Sequence, residues 1–125
     1  MTRARTGKKS SPRKISETFL EFAEPLWVPL GAEVADHELE QALMIAFTVW
    51  NSVVFDAAEG GQSHVSQLRK LADQEPGVRM LVELLITRKQ SLYAEDRRLV
   101  GDYRLHRRQG ELRLRAEARL PPSPH

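Results

Sequence analysis

The feature that most constrains this chain is the stretch from Ala42 to Phe55, where Leu43, Met44, Ile45, Ala46, Phe47, Val49, Trp50, Val53, Val54 and Phe55 leave a helix without a polar face. Such a helix must be covered by other elements on most sides. Thr48, Asn51 and Ser52 interrupt the run, and it falls short of the ~20 residues a membrane span needs. It therefore reads as the central buried helix of a folded domain, with no membrane association. A chain of 125 residues fits one domain of the common size, so a single core is expected over residues 12–119.

The flanking sequence supplies the wrapping. Ser11 and Pro12 form a helix-start signature, followed at helical spacing by Ile15, Phe19, Phe22, Ala23 and Leu26, with Glu17, Glu21 and Glu24 opposite. This predicts a helix over 12–24. Pro25, Pro29 and Gly31 break it, and the apolar residues between them predict a connection packed on the core. Asp36 is the expected N-cap of the central helix over 36–59, which Gly60 and Gly61 end. Ser63 is the expected cap of a helix over 63–74 with Val65, Leu68, Leu71 and Ala72 inward. A last helix over 77–95 turns Val78, Leu81, Val82, Leu85, Ile86, Leu92 and Tyr93 inward.

At Leu99 the apolar period changes from 3.6 to 2. Leu99, Gly101, Tyr103 and Leu105 alternate with polar residues, and so do Leu112, Leu114, Ala116 and Ala118. These spacings predict a hairpin with strands at 98–106 and 111–119. Pairing Leu105 with Leu112 and Tyr103 with Leu114 keeps the apolar residues on one face, with Arg107 to Gly110 as the loop. The expected class is α+β: a four-helix, mainly α domain followed by an antiparallel β-hairpin. Residues 1–11 read as a disordered basic arm and 120–125 as a Pro-rich disordered tail.

Charge is unevenly divided. Residues 1–14 carry +6, 15–96 carry −9 and 97–119 carry +5, for a formal total of +2. A basic arm, an acidic helical body and a basic ribbon can attract a polyanion or a second copy of the chain. The absence of cysteine excludes disulfides and thiolate chemistry and fits a reducing compartment, with the cytoplasm as the expectation. The basic start is not followed by the apolar run of a secretion signal.

The outward face of the hairpin is the sharpest candidate site. In the expected register Arg104 lies opposite Arg113, His106 opposite Glu111 and Asp102 opposite Arg115, with Arg107 and Arg108 near the loop. Like charges directly opposed are mildly destabilising, so this face suits an anion or an acidic surface. The alternative is that these charges only keep the hairpin soluble and block edge pairing. Thr48 and Asn51, polar in the most apolar helix, need partners and are expected in a buried polar network, with the Pro25 to Leu30 backbone as a candidate partner. A small-ligand pocket near Trp27 and Trp50 is the less favoured reading of the same residues.

Glu33, Asp36, His37 and Glu40 read as acids at a helix start rather than a metal or proton-transfer cluster. His64 and His106 read as isolated surface residues. No nucleophile, base and orienter assemble, no metal spacing occurs and no cofactor is implied. The expectation is a non-enzymatic interaction protein, a homodimer or other self-associating form, that binds a protein partner. Nucleic-acid binding through Arg104, Arg107, Arg108, Arg113 and Arg115 together with the arm is the alternative.

Overall fold

A computed structural model of the chain describes residues 14–31, 33–108 and 111–121, with the backbone alone for Arg107, Arg108 and Leu112. The described elements are five α-helices and one antiparallel hairpin: α1 Ile15–Phe22, α2 Glu24–Trp27, α3 Asp36–Glu59, α4 Ser63–Ala72, α5 Pro76–Leu92, β1 Leu99–Arg108 and β2 Glu111–Arg119. The class is α+β. The expected basic arm, the Ser11–Pro12 helix start and most of the expected tail lie outside the described residues.

The helix expected over 12–24 ends at Phe22, and a second short helix, α2, forms at the start of the stretch expected as a connection. The Ala23 amide closes α1 on the Phe19 carbonyl, and the Ala23 carbonyl then accepts from Leu26 and Trp27. Pro25 sits in the first turn of α2, where its missing N–H costs nothing. A 3₁₀ turn, Val28–Leu30, follows and ends at Gly31. Leu26 is buried, whereas Val28 and Leu30 face solvent.

Helix α3 starts one residue earlier in register than a capping Asp36 requires: Ala35 is the N-cap, and Asp36 lies in the first turn with Glu38. By length and composition α3 could cross a membrane. In this fold it touches α2, α4, α5 and β1, and Leu43, Ala46, Val49 and Trp50 are fully buried in the core. Met44 is exposed, so the helix has one open stripe. Gly60 ends α3 at φ 77, and a Cβ there would meet no atom within 4 Å. Gly60→Ala is thus expected to cost only the left-handed backbone penalty, about 1–2 kcal/mol, read as a lower urea midpoint.

Ser63 does not cap α4. Asp56 reaches across from α3, its carboxylate accepting from the backbone N–H of His64 at 2.8 Å and of Val65 at 2.9 Å. In α4 and α5 one expected inward residue each is exposed, Leu71 and Leu92. Ala72 takes the inward position beside Leu71, which turns out to solvent. In α5 the inward row is Val82, Leu85, Ile86 and Lys89, which leaves Leu92 outside.

The hairpin register differs from the expected one by two residues. Leu105 pairs with Leu114, Tyr103 with Ala116 and Arg104 with Arg115, and β1 and β2 are joined through residues 109 and 110 alone. Both registers keep the apolar residues on one face, so alternation could not choose between them. Between Val100 and Asp102 the register slips at Gly101, a bulge that turns Val100 into the core at 1 % exposure.

The apolar face of the hairpin lies on α1 and α3. Tyr103 sits between Phe19 and Phe47, with ring centroids 5.8 and 5.4 Å away. Below it Phe22, Trp50 and Tyr93 form a second cluster, with centroids 5.1 to 5.8 Å apart.

Candidate functional site

The helical body holds the base of the hairpin by both edges. On the β1 edge, the Asn51 amide of α3 donates Nδ2 to the Val100 carbonyl at 2.9 Å and accepts the Val100 N–H on Oδ1 at 2.8 Å. On the β2 edge, the Ser16 hydroxyl of α1 donates to the Ala116 carbonyl at 3.3 Å and accepts its N–H at 2.8 Å. Each side chain occupies the hydrogen-bonding positions of a neighbouring strand. A short segment before β1 is pinned as well: Trp50 Nε1 donates to the Arg98 carbonyl at 2.7 Å, and Lys89 Nζ donates to the carbonyls of Tyr93 at 2.6 Å and Asp96 at 2.8 Å.

With the base fixed, the outer face presents its side chains in a set order. Arg104 stands opposite Arg115, His106 opposite Arg113 and Asp102 opposite Glu117. This replaces the expected pairs of Arg104 with Arg113, His106 with Glu111 and Asp102 with Arg115. The slip of two residues preserves the face of every side chain while changing its partner, and an arginine pair results in either register. Arg104, Arg113 and Arg115 are all exposed.

Arg113 bonds Glu111 on its own strand at 2.8 Å. Arg104 and Arg115 have no hydrogen-bond or ion-pair partner among the described residues. A surface depression of about 350 Å³ lies beside them, lined by Asp102, Tyr103, Arg104, Arg115, Ala116 and Glu117. Burial raises the Tyr103 phenol above its ordinary value, and the charges of Glu40 and Asp102 add to this, so the hydroxyl stays a neutral donor or acceptor at neutral pH. Arg107 and Arg108 belong to β1, and their side chains lie outside the described residues.

Lys89 is the residue that sequence reasoning missed. It is 2 % exposed, its Nζ lies 4.3 Å from the Trp50 ring centroid, and burial pulls its pKa down to about 8 against the attraction of Asp96. A signal was present, because position 89 falls three and four residues after Ile86 and Leu85 on the inward row. It borders a cavity of about 440 Å³ whose lining includes Val53, Val65, Asp56, Arg69, Asp96 and Arg97. Its ammonium is already engaged by two carbonyls and an aromatic face, which assigns it to holding the chain between α5 and β1. Asp96 is likewise committed: burial raises its carboxyl, the bonds from Arg98 outweigh that, and the net shift is downward.

Thr48 and Asn51 do not share a network. Thr48 Oγ1 donates to the Met44 carbonyl one turn back at 2.9 Å, and Asn51 bonds β1 rather than the Pro25 to Leu30 segment. The two indoles are each tied to a carbonyl, Trp27 to Leu20 at 2.9 Å and Trp50 to Arg98. Glu33 lies outside α3, and Asp36, His37 and Glu40 are exposed on its first turns. His64 is not isolated: its Nδ1 lies 2.9 Å from Asp56 Oδ1, and its ring stacks on Phe55.

No protein-family model, curated protein or solved structure matches the chain. Fold and surface together define an α+β protein whose helical body carries a basic two-stranded ribbon, anchored at its base and open on its outer face.

Proposed function

We propose that the chain is a small, non-enzymatic, cytoplasmic interaction protein that associates with itself and engages a protein partner through the outer face of its hairpin. The observation that carries this reading is the pair of exposed guanidiniums at Arg104 and Arg115, directly opposed and unpartnered among the described residues. Their mutual repulsion is relieved when a carboxylate surface docks above them, and guanidinium suits bidentate carboxylate recognition. The chain itself offers such a surface: Glu33, Asp36, Glu38 and Glu40 are exposed around the start of α3. A second copy that places this helix end on the ribbon brings opposite charges together twice in a symmetric dimer.

Light scattering after size exclusion tests the proposal. The expected result is a dimer at low salt that dissociates as salt rises. Arg104→Glu combined with Arg115→Glu is expected to be monomeric at both, while circular dichroism stays unchanged. A wild-type mass equal to one chain at low salt, or a doubly reversed variant that remains dimeric, overturns self-association through this face.

The alternative is nucleic-acid binding by the same ribbon, favoured by the exposure of Arg104, Arg113 and Arg115 on one side of two strands. It makes a different prediction for the same experiment. Duplex DNA co-elutes with the protein at low salt and is released as salt rises, and each lost phosphate contact reduces the slope of log affinity against log salt by about one. Co-elution abolished by Arg104→Ala with Arg115→Ala selects this reading.

A further inference from the structure

Away from the hairpin, three metal-ligating side chains converge where α3 meets α4. Asp56 and Glu59 lie one turn apart at the end of α3, His64 lies in the first turn of α4, and one donor atom from each lies within 4.8 Å of the other two. His64 Nδ1 is 2.9 Å from Asp56 Oδ1 and 3.6 Å from Glu59 Oε1. A tetrahedral ion with N and O ligands at about 2.0–2.2 Å sets those ligands roughly 3.3–3.6 Å apart. The two observed separations bracket that edge, so small side-chain shifts complete the geometry.

The donors are held in place by contacts that bind no ion. The Asp56 carboxylate is fixed by the N–H groups of His64 and Val65, which leave one lone-pair direction on each oxygen, that of Oδ1 being turned to His64 Nδ1. The His64 ring is stacked on Phe55 with centroids 5.1 Å apart and planes 20° apart.

The local electrostatics favour a cation. Asp56 and Glu59 occupy the negative end of a 24-residue helix whose last turn contains no basic residue, where anions are disfavoured. Among the described residues Glu59 has no hydrogen-bond donor and no ionic neighbour other than the His64 ring. Its side chain is 52 % exposed, which leaves room for water on the outer side of the junction.

We propose that Asp56, Glu59 and His64 form a three-ligand site for a first-row divalent transition metal, with Zn²⁺ as the first instance and water in the fourth position. An imidazole with two carboxylates suits Zn²⁺, whereas Mg²⁺ and Ca²⁺ take all-oxygen sets. The ion takes the place of the hydrogen bond between His64 Nδ1 and Asp56 Oδ1, with the proton of the neutral ring on Nε2. Its structural effect is to join the end of α3 to the start of α4.

Calorimetric titration of the full chain with Zn²⁺, paralleled by the visible absorption of the Co²⁺ complex and by Mg²⁺ as a control, tests the site. The expected result is one saturable equivalent of Zn²⁺, Co²⁺ bands of four-coordinate intensity and no Mg²⁺ uptake. His64→Ala and Glu59→Gln are each expected to weaken Zn²⁺ at least about tenfold, since each removes a direct ligand. Both leave the Asp56 cap intact, and Glu59, exposed and free of structural bonds, keeps the test decisive should His64→Ala fold poorly. Absence of saturable binding overturns the proposal. So does wild-type affinity in Glu59→Gln or His64→Ala, which moves the ion to another histidine, and so does equal uptake of Mg²⁺, which reduces the cluster to a diffuse acidic surface.

Discussion

Asn51→Leu is expected to lower the unfolding free energy by about 2–5 kcal/mol, because it strips both backbone partners from a residue that has no water to replace them. Val100 is 1 % exposed, and on its outer edge the Asn51 amide supplies the donor and the acceptor at 2.9 and 2.8 Å. Leucine keeps the branched heavy-atom skeleton of asparagine and leaves no cavity, so the loss reports the unsatisfied polar groups. Asn51→Asp divides the effect. Its carboxylate still accepts the Val100 N–H but faces the Val100 carbonyl with an anion, and roughly half or more of the loss is expected to remain. Thr48→Ala is the internal control: it removes a bond to a carbonyl one turn back in the same helix and is expected to stay within about 0.5 kcal/mol of the parent. Denaturant titration measures all three. Hydrogen exchange adds the mechanism, because the Val100 amide is expected to exchange faster in Asn51→Leu while the α3–α5 amides of the same protein keep their relative order. A near-neutral Asn51→Leu would show that the hairpin base is held by packing alone.

The same pair of residues shows where the sequence is readable and where it is not. Thr48 and Asn51 are equally conspicuous in the apolar run, and the need of a buried amide for partners can be stated without a structure. Which partners they find depends on the tertiary placement of β1, so Asn51 turned out to serve the hairpin and Thr48 its own helix. The hairpin register behaves likewise. Alternation fixes which residues face the helices, but two registers that differ by two residues satisfy it equally. The choice between them rests on long-range contacts such as Ser16 with Ala116 and Asn51 with Val100, and the Gly101 bulge that brings Val100 inward leaves no periodic trace. Capping fails as a local rule for a related reason: Asp56 caps α4 from the preceding helix, while Ser63 and Asp36 look like caps by position only. The arginine pair survives the change of register because basic residues occupy both alternatives on β2. That accident of composition made the outer face legible even though its pairs were not.

The stability of the protein is expected to rise by about 2 kcal/mol between pH 8 and pH 10, and Lys89→Met is expected to abolish that rise. The sign follows from the direction of the shift. Burial lowers the folded-state pKa of Lys89 from 10.5 to about 8, so between those values the unfolded chain binds a proton that the folded chain has released. Stability therefore increases with pH across the interval. The Lys89 contribution is fully present above the unfolded value of 10.5 and is lost as pH falls through 8 and the buried amine must be charged. The slope approaches 1.4 kcal/mol per pH unit well inside the window. Tyr103 sets the upper limit: its phenol is raised above 10.0, so above pH 10 the unfolded chain ionises first and stability begins to fall.

Methionine keeps the length of the lysine stem against Trp50 but has no proton to titrate, and it leaves the Tyr93 and Asp96 carbonyls without their donor. Its unfolding free energy is expected to be flat from pH 8 to 10, and hydrogen exchange between Tyr93 and Val100 to accelerate. Urea titrations of both proteins at pH 7, 8, 9 and 10 decide the matter. A wild-type curve as flat as that of Lys89→Met would mean that the two carbonyls and the indole face hold the ammonium charged throughout, offsetting the whole cost of its burial. That result would make Lys89 a permanently charged pin between α5 and β1.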